Sequence, residues 1–373
     1  MADRRNGKGE PTRRTMLAGA FGAALAPVLS VPFAGLLMPT RAAAEAGAAM
    51  PMAREVPARL LPVPSTVSPE LQAVVGAPLP AGWQDIPADA DGWRSLQRLS
   101  GAGPHPILAE IRQKLRVDVT ADKIGGIPVF ISTPRDLPVA NRNRLLLHLH
   151  GGGYVFFPGE IGAGEGMMMA GYGRFRVVSV DYRMAPDFPF PAGLDDATAV
   201  WKALTASNDP KRMAVFGTSA GGGLTLSLML KANAAGLPLP AAIAPGSPWV
   251  DLAGKSDSLA TNAFVDNVLV SETGWLGAAA ELYAGGQPLD TPLISPIYGD
   301  FAGLPPAILT SGTRDLLLSD TIRAHRKLRR AGVEAALQVF EGESHAQFLT
   351  PFVPETEEAF TEIAAFFDRH LTV

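Results

Sequence analysis

The sequence predicts an α/β protein, a mainly parallel sheet with helices on both faces. Eight short apolar runs of strand character recur between residues 115 and 340. Helical stretches of about 10–15 residues lie among them, and that alternation is what parallel βαβ units produce. No internal repeat interrupts the pattern. The crossovers of such a sheet are expected to be right-handed.

The elements follow in chain order. Residues 1–46 read as an export signal. Arg4, Arg5, Lys8, Arg13 and Arg14 precede an uncharged run from Leu17 to Met38, and Ala42-Ala43-Ala44-Glu45-Ala46 offers a small-residue cleavage site after Ala44 or Ala46. Arg13-Arg14 with Thr15-Met16-Leu17 resembles a twin-arginine signal. This predicts a periplasmic or secreted protein with no membrane span after cleavage. An uncleaved membrane anchor is the alternative, weakened by Pro27, Pro32 and the glycines of the run. Residues 51–80 are Pro-rich and irregular, with a short helix at 69–75, and 91–115 form one or two helices. Strands are expected at 115–120, 128–132, 145–149, 177–182, 213–216, 241–244, 307–310 and 335–340. Helices are expected at 195–206, 220–234, 271–283, 319–331 and 355–370.

Composition narrows the function. Apolar residues are 47% and charged residues 18% of the chain, which excludes an intrinsically disordered protein. The 39 Gly and 33 Pro are spread without a period, so collagen-like and low-complexity readings fail. A net charge of −4 leaves no electrostatic footprint for nucleic acid. With no cysteine, there is no Cys nucleophile, disulfide, Cys-ligated zinc or iron–sulfur cluster. General-base or metal chemistry falls to six histidines: His105, His148, His150, His325, His345 and His370.

Gly217-Thr218-Ser219-Ala220-Gly221 matches G-x-S-x-G, between the strand run at 213–216 and the helix at 220–234. Such a sharp strand-to-helix turn holds a Ser exposed at the sheet end, and glycines on either side remove Cβ atoms that would clash. Ser219 is therefore the candidate nucleophile. A Gly-rich structural turn is the bland alternative, and a phosphate-binding turn lacks its Lys.

Upstream, the strand at 145–149 ends in His150-Gly151-Gly152-Gly153-Tyr154. Three successive glycines let backbone amides approach a ligand, and such donors stabilise the oxyanion of acyl transfer. His148 and His150 also read as a His-x-His metal pair, but no third ligand is apparent, so no metal is assigned. His150 is expected to orient the loop and His148 to pack in the core.

A serine nucleophile needs a base and an acid that fixes the base's tautomer. With this elbow the chain order is Ser, Asp or Glu, then His. His345, in a loop after the strand at 335–340, is the candidate base. His325 lies on a basic helix face and His370 at a helix end near the C-terminus. Asp315, first after the strand at 307–310, is the candidate acid. Asp320 competes with it but falls in the first turn of a helix, where a carboxylate is expected anyway, and Asp195 and Asp196 are explained as helix caps.

At this point the sequence resembles the hormone-sensitive-lipase-like family of α/β-hydrolase carboxylesterases. The matching segments are HGGGYV at 150–155, DYRMAPDFPFPAGLDDA at 181–197, GTSAGGG at 217–223, SPWVDL at 247–252, GTRDLLLSD at 312–320 and EGESHAQF at 341–348. The resemblance implies an α/β-hydrolase fold with an eight-stranded sheet, over 113–373. It implies a helical cap from residues 47–112 and an insertion at about 252–295. It implies Ser219, Asp315 and His345 as the triad, and the Gly152, Gly153 and Ala220 amides as the oxyanion hole. Thr218 stands where many members have Asp, Leu316 replaces a common Pro, and Ala346 replaces a common Gly.

The expected function is hydrolysis of short- to medium-chain carboxylic esters through an acyl-enzyme, without metal or organic cofactor. Tyr154, Phe156, Phe157 and Trp249 are candidate pocket residues. The partner is a small ester or lactone. Alternatives are a monoterpene-lactone type lactonase or amidase on the same triad, a true lipase, or a non-catalytic binding protein. Oligomeric state is left open between monomer and homodimer.

Overall fold

The strands are β1 (Val117–Ile124), β2 (Ile127–Pro134), β3 (Leu145–Leu149), β4 (Arg176–Val180), β5 (Met213–Thr218), β6 (Ala242–Gly246), β7 (Ala307–Gly312) and β8 (Ala335–Phe340). They form one sheet in the order β1-β2-β4-β3-β5-β6-β7-β8 in a computed structural model that describes residue 53 and residues 55–372. β1 pairs antiparallel with β2, and β2 with β4; the pairs from β4 through β8 are parallel. Each of the eight expected strands is present. The export segment expected at 1–46 lies outside the described residues.

The helices are α1 (Pro69–Val75), α2 (Ala90–Gly101), α3 (Pro106–Lys114), α4 (Gly164–Gly173), α5 (Ala192–Thr205), α6 (Ala220–Ala234), α7 (Ser258–Thr261), α8 (Trp275–Ala284), α9 (Leu318–Arg330) and α10 (Pro354–His370). All these elements belong to the unit 61–373, and residues 55–60 carry no regular structure. Among the described residues no helix is long and apolar enough to cross a membrane.

The two-residue period of a strand divides the core into two layers. Leu147 and Leu149 of β3 and Met213 and Val215 of β5 join one layer, with Leu194, Trp201, Leu224, Leu228 and Leu328 from α5, α6 and α9. Leu146 of β3 and Ala214 and Phe216 of β5 join the other, with Met167, Met169, Phe360 and Phe367 from α4 and α10. Sandwiched between them, β3 and β5 end where the motif loops begin. On the second layer Arg144 is buried, reaching Asp368, the Asn141 amide oxygen and the carbonyls of Leu371 and Thr372.

Two sequence expectations change here. The helix foreseen at 195–206 begins earlier, at Ala192, so Asp195 and Asp196 do not cap it. Asp196 instead receives Arg183 through its backbone amide and guanidinium, at 2.7–3.1 Å. Helix α4 was not foreseen, because its four glycines lower helix propensity.

Candidate active site

Ser219 sits between β5 and α6 with φ 63° and ψ −124°. That backbone is strained for a residue with a Cβ, by about 1–3 kcal/mol. The turn is held by the Ser219 amide donating to the Gly246 carbonyl at 2.8 Å and the Trp249 amide donating to the Ser219 carbonyl at 3.0 Å. A Cβ at Gly217 or Gly221 would fall on the Leu149 carbonyl oxygen, so β3 can approach this closely only with glycine at both positions.

The loop after β3 wraps back over the turn. Gly152 has φ +103°, and a Cβ there would lie 2.6 Å from the Phe156 carbonyl oxygen. The amides of Gly152, Gly153 and Ala220 find no acceptor among the described residues. The His150 Nδ1–H donates to the Gly151 carbonyl at 2.7 Å, its ring stacks on Tyr182 at 4.2 Å, and the Tyr182 hydroxyl donates to the His150 carbonyl at 2.7 Å. Burial pushes His150 down to about 4, so the imidazole is neutral.

His345 and Asp315 come together from the loops after β8 and β7. His345 Nδ1 lies 2.9 Å from Asp315 Oδ1. Asp315 Oδ2 accepts from the Ser311 hydroxyl at 2.7 Å, and Oδ1 also accepts from the Leu317 amide at 2.8 Å. Burial alone would push the Asp315 carboxyl up; the charge and hydrogen bond of His345 outweigh it and hold the carboxyl below its ordinary range. For His345, burial favours the neutral ring, but Asp315, with Asp266 and Asp320, overcomes this and raises it above its ordinary value. The Nε2 of His345 is buried with no partner among the described residues.

Ser219 and His345 line one cavity of about 290 Å³, together with Gly151, Gly152, Gly153, Phe156, Phe157, Ile161, Val268, Leu269, Trp275 and Leu349. Phe156 and Phe157 are thus on its wall, as expected. Tyr154 and Trp249 are not: both are buried in the core, Tyr154 stacked on Tyr283 at 3.7 Å and on Trp249 at 6.1 Å. The sequence pattern places aromatic residues near the motif but does not say which face each takes. Val268, Leu269 and Trp275 come from the segment 252–295. Helix α2 supports the wall from behind, with Trp93 packed on Phe156 and Gln97 donating to the Val155 and Ala185 carbonyls.

The other candidates are engaged elsewhere. Asp320 accepts the Val250 and Asp251 amides at 2.9 and 3.0 Å and the Ser256 hydroxyl, so it does not face His345. His325 Nε2 bonds the Ala335 carbonyl at 3.1 Å rather than standing in solvent, and His370 pairs with Glu334 at 3.4 Å. His148 is buried, its Nε2 3.0 Å from Glu165 Oε2 and its Nδ1 3.0 Å from the Ser179 hydroxyl. Glu165 also accepts from the Thr218 hydroxyl at 2.7 Å and lines the cavity. Sequence reasoning missed Glu165, because its partners Thr218 and His148 lie 53 and 17 residues away and no local pattern links them.

Comparisons with known proteins bear on the fold and the family. The profile of the alpha/beta hydrolase fold family matches residues 146–349. An esterase of Acinetobacter venetianus is 32% identical over 231 residues, 61% of this chain and 75% of its own length. The crystal structure of an esterase E25 superposes with a TM-score of 0.83 at 37% identity, covering 86% of this chain and 99% of that one. An esterase from the bacterial hormone-sensitive lipase family superposes with a TM-score of 0.64 at 31% identity, over 76% of this chain and 98% of that one. The chain belongs to the α/β-hydrolase fold family, among the carboxylic-ester hydrolases of its hormone-sensitive-lipase-like branch.

Proposed function

We propose that Ser219 is the nucleophile of ester hydrolysis in this chain, His345 its general base and Asp315 the acid that orients the base. The observation that carries this is the His345 ring. Its Nδ1 is held by Asp315, while its Nε2 has no partner among the described residues, in the cavity wall that Ser219 shares. With Nδ1–H committed to the carboxylate, Nε2 is the free lone pair that accepts the Ser219 proton as the hydroxyl attacks the ester carbonyl. The amides of Gly152, Gly153 and Ala220 then receive the oxyanion. The imidazolium returns its proton to the leaving alcohol, and water, deprotonated by His345, releases the acid from the acyl-enzyme.

The substrates are short- to medium-chain esters. A cavity of about 290 Å³ walled mainly by Phe156, Phe157, Ile161, Leu269, Trp275 and Leu349 has room for a short apolar chain. The segment 252–295 and the helices before β1 serve as its cap. Residues 1–46, with Arg13-Arg14 before an uncharged run, direct export.

The test is Ser219→Ala assayed on p-nitrophenyl esters of increasing chain length. Loss of turnover and of covalent fluorophosphonate labelling is expected, with wild-type activity greatest on short and medium chains. Turnover surviving in Ser219→Ala would overturn the mechanism. A twin-lysine replacement of Arg13-Arg14 is expected to keep the protein in the cytoplasm.

A further inference from the structure

We propose that Asp266 is a positioning residue for this reaction, holding the loops that carry Asp315 and His345 in register with the cavity wall. It lies in the segment 252–295, fully buried. Its Oδ2 accepts the Leu316 amide at 2.7 Å and the His345 amide at 3.0 Å. Its Oδ1 accepts the Val268 amide at 2.7 Å and the Leu269 amide at 2.9 Å.

The two oxygens do different things. The bonds from Val268 and Leu269 are local and by themselves describe an aspartate closing its own turn. Those from Leu316 and His345 reach 50 and 79 residues along the chain, to the residue after Asp315 and to the base itself. One rigid planar group therefore ties three segments whose relative placement sets the distance between wall and base. Two neighbours reinforce the tie: Asn262 donates to the Asp315 carbonyl at 2.8 Å, and the Asn267 amide donates to the Ser344 hydroxyl at 3.1 Å.

Asparagine cannot replace this group. Its single oxygen serves one pair of amides, and its own NH₂ would point donors at the other pair. The substitution also removes one of the negative charges, Asp315, Asp266 and Asp320, that favour protonated His345. Asp266 does not line the cavity, so its effect passes through other residues.

The inference rests on the Ser219–His345–Asp315 reading. The experiment compares full-chain wild type, Asp266→Asn and Asp266→Glu on p-nitrophenyl butyrate, with kcat expressed per site titrated by a fluorophosphonate. Asp266→Asn should lose about 10- to 100-fold in kcat. The acid limb of its kcat/KM profile should move to lower pH than in wild type, because the lost charge no longer favours the protonated ring. Asp266→Glu keeps the charge but cannot place both oxygens, so it should lose kcat with the limb unmoved. A merely structural aspartate would lower Tm or yield while leaving kcat per titrated site and the limb as in wild type, and that result overturns the proposal. If Asp266→Asn yields no titratable enzyme, unchanged kcat in Asp266→Glu overturns it. Hydrolysis persisting in Ser219→Ala would instead sink the underlying reading.

Discussion

His345 Nδ1 lies 2.9 Å from Asp315 Oδ1, and both side chains are removed from solvent. The carboxylate also takes bonds from Ser311 and Leu317, so its orientation is set before the histidine is considered. Asp315→Asn preserves the shape but can turn an NH₂ toward Nδ1, leaving the proton on Nε2, where it blocks the base. A loss of about 10⁴ in kcat is expected from the wrong tautomer, read by steady-state hydrolysis of p-nitrophenyl butyrate. A loss under tenfold would show that Asp315 does not set the tautomer.

The same pair predicts a pH profile. The negative charges around His345 raise it above its ordinary 6.5. A base must be neutral to act, so kcat/KM should rise with an acid limb centred above pH 6.5 and be lost as pH falls through it. The measurement is kcat/KM between pH 5 and 9 at constant ionic strength.

Gly152→Ala tests the loop after β3. The new methyl would meet the Phe156 carbonyl at 2.6 Å in a backbone with φ +103°, so the loop must move and take its free amides with it. Losing one oxyanion donor costs about 10²–10³ in kcat. Fluorophosphonate labelling should slow in parallel, because that reaction uses the same donors.

Glu343 offers a test of stability. It is fully buried, and neither carboxyl oxygen finds a partner among the described residues. Burial, with Glu355 and Asp315 nearby, pushes it up to about 8 from its ordinary 4.5. A carboxyl whose folded value is raised costs nothing below pH 4.5 and destabilises progressively as pH rises toward about 8. Glu343→Gln should therefore match wild-type Tm near pH 4 and exceed it increasingly up to pH 8, by thermal melts across that range. A Tm advantage that stays constant with pH would refute the assignment.

What sequence could and could not convey follows from the range of the interactions. The strands were legible because β3 and β5 are short apolar runs closed by Gly or Pro signals. Ser219, Asp315 and His345 were legible as candidates because each follows a strand end within a few residues. Helix α4 was hidden by the glycines that let it pack closely: a Cβ at Gly166 would strike the Ser179 hydroxyl, and one at Gly171 the Leu115 side chain. In the core Tyr154 stacks on Trp249 and Tyr283, which lie 95 and 129 residues further along the chain. Asp266 left no local pattern, since two of its four bonds join loops far along the chain.

The buried clamp of Arg144 has a practical reach beyond the core. Its guanidinium is neutralised by Asp368 and capped by the carbonyls of Leu371 and Thr372, so the last turn of α10 and the residues after it act as a latch under β3. Anything that pulls this segment away strips Arg144 of its carboxylate and two of its carbonyl acceptors, just before the strand that ends in the glycine loop. Heat-resistant variants are better sought by tightening this latch than by altering the strained turn at Ser219.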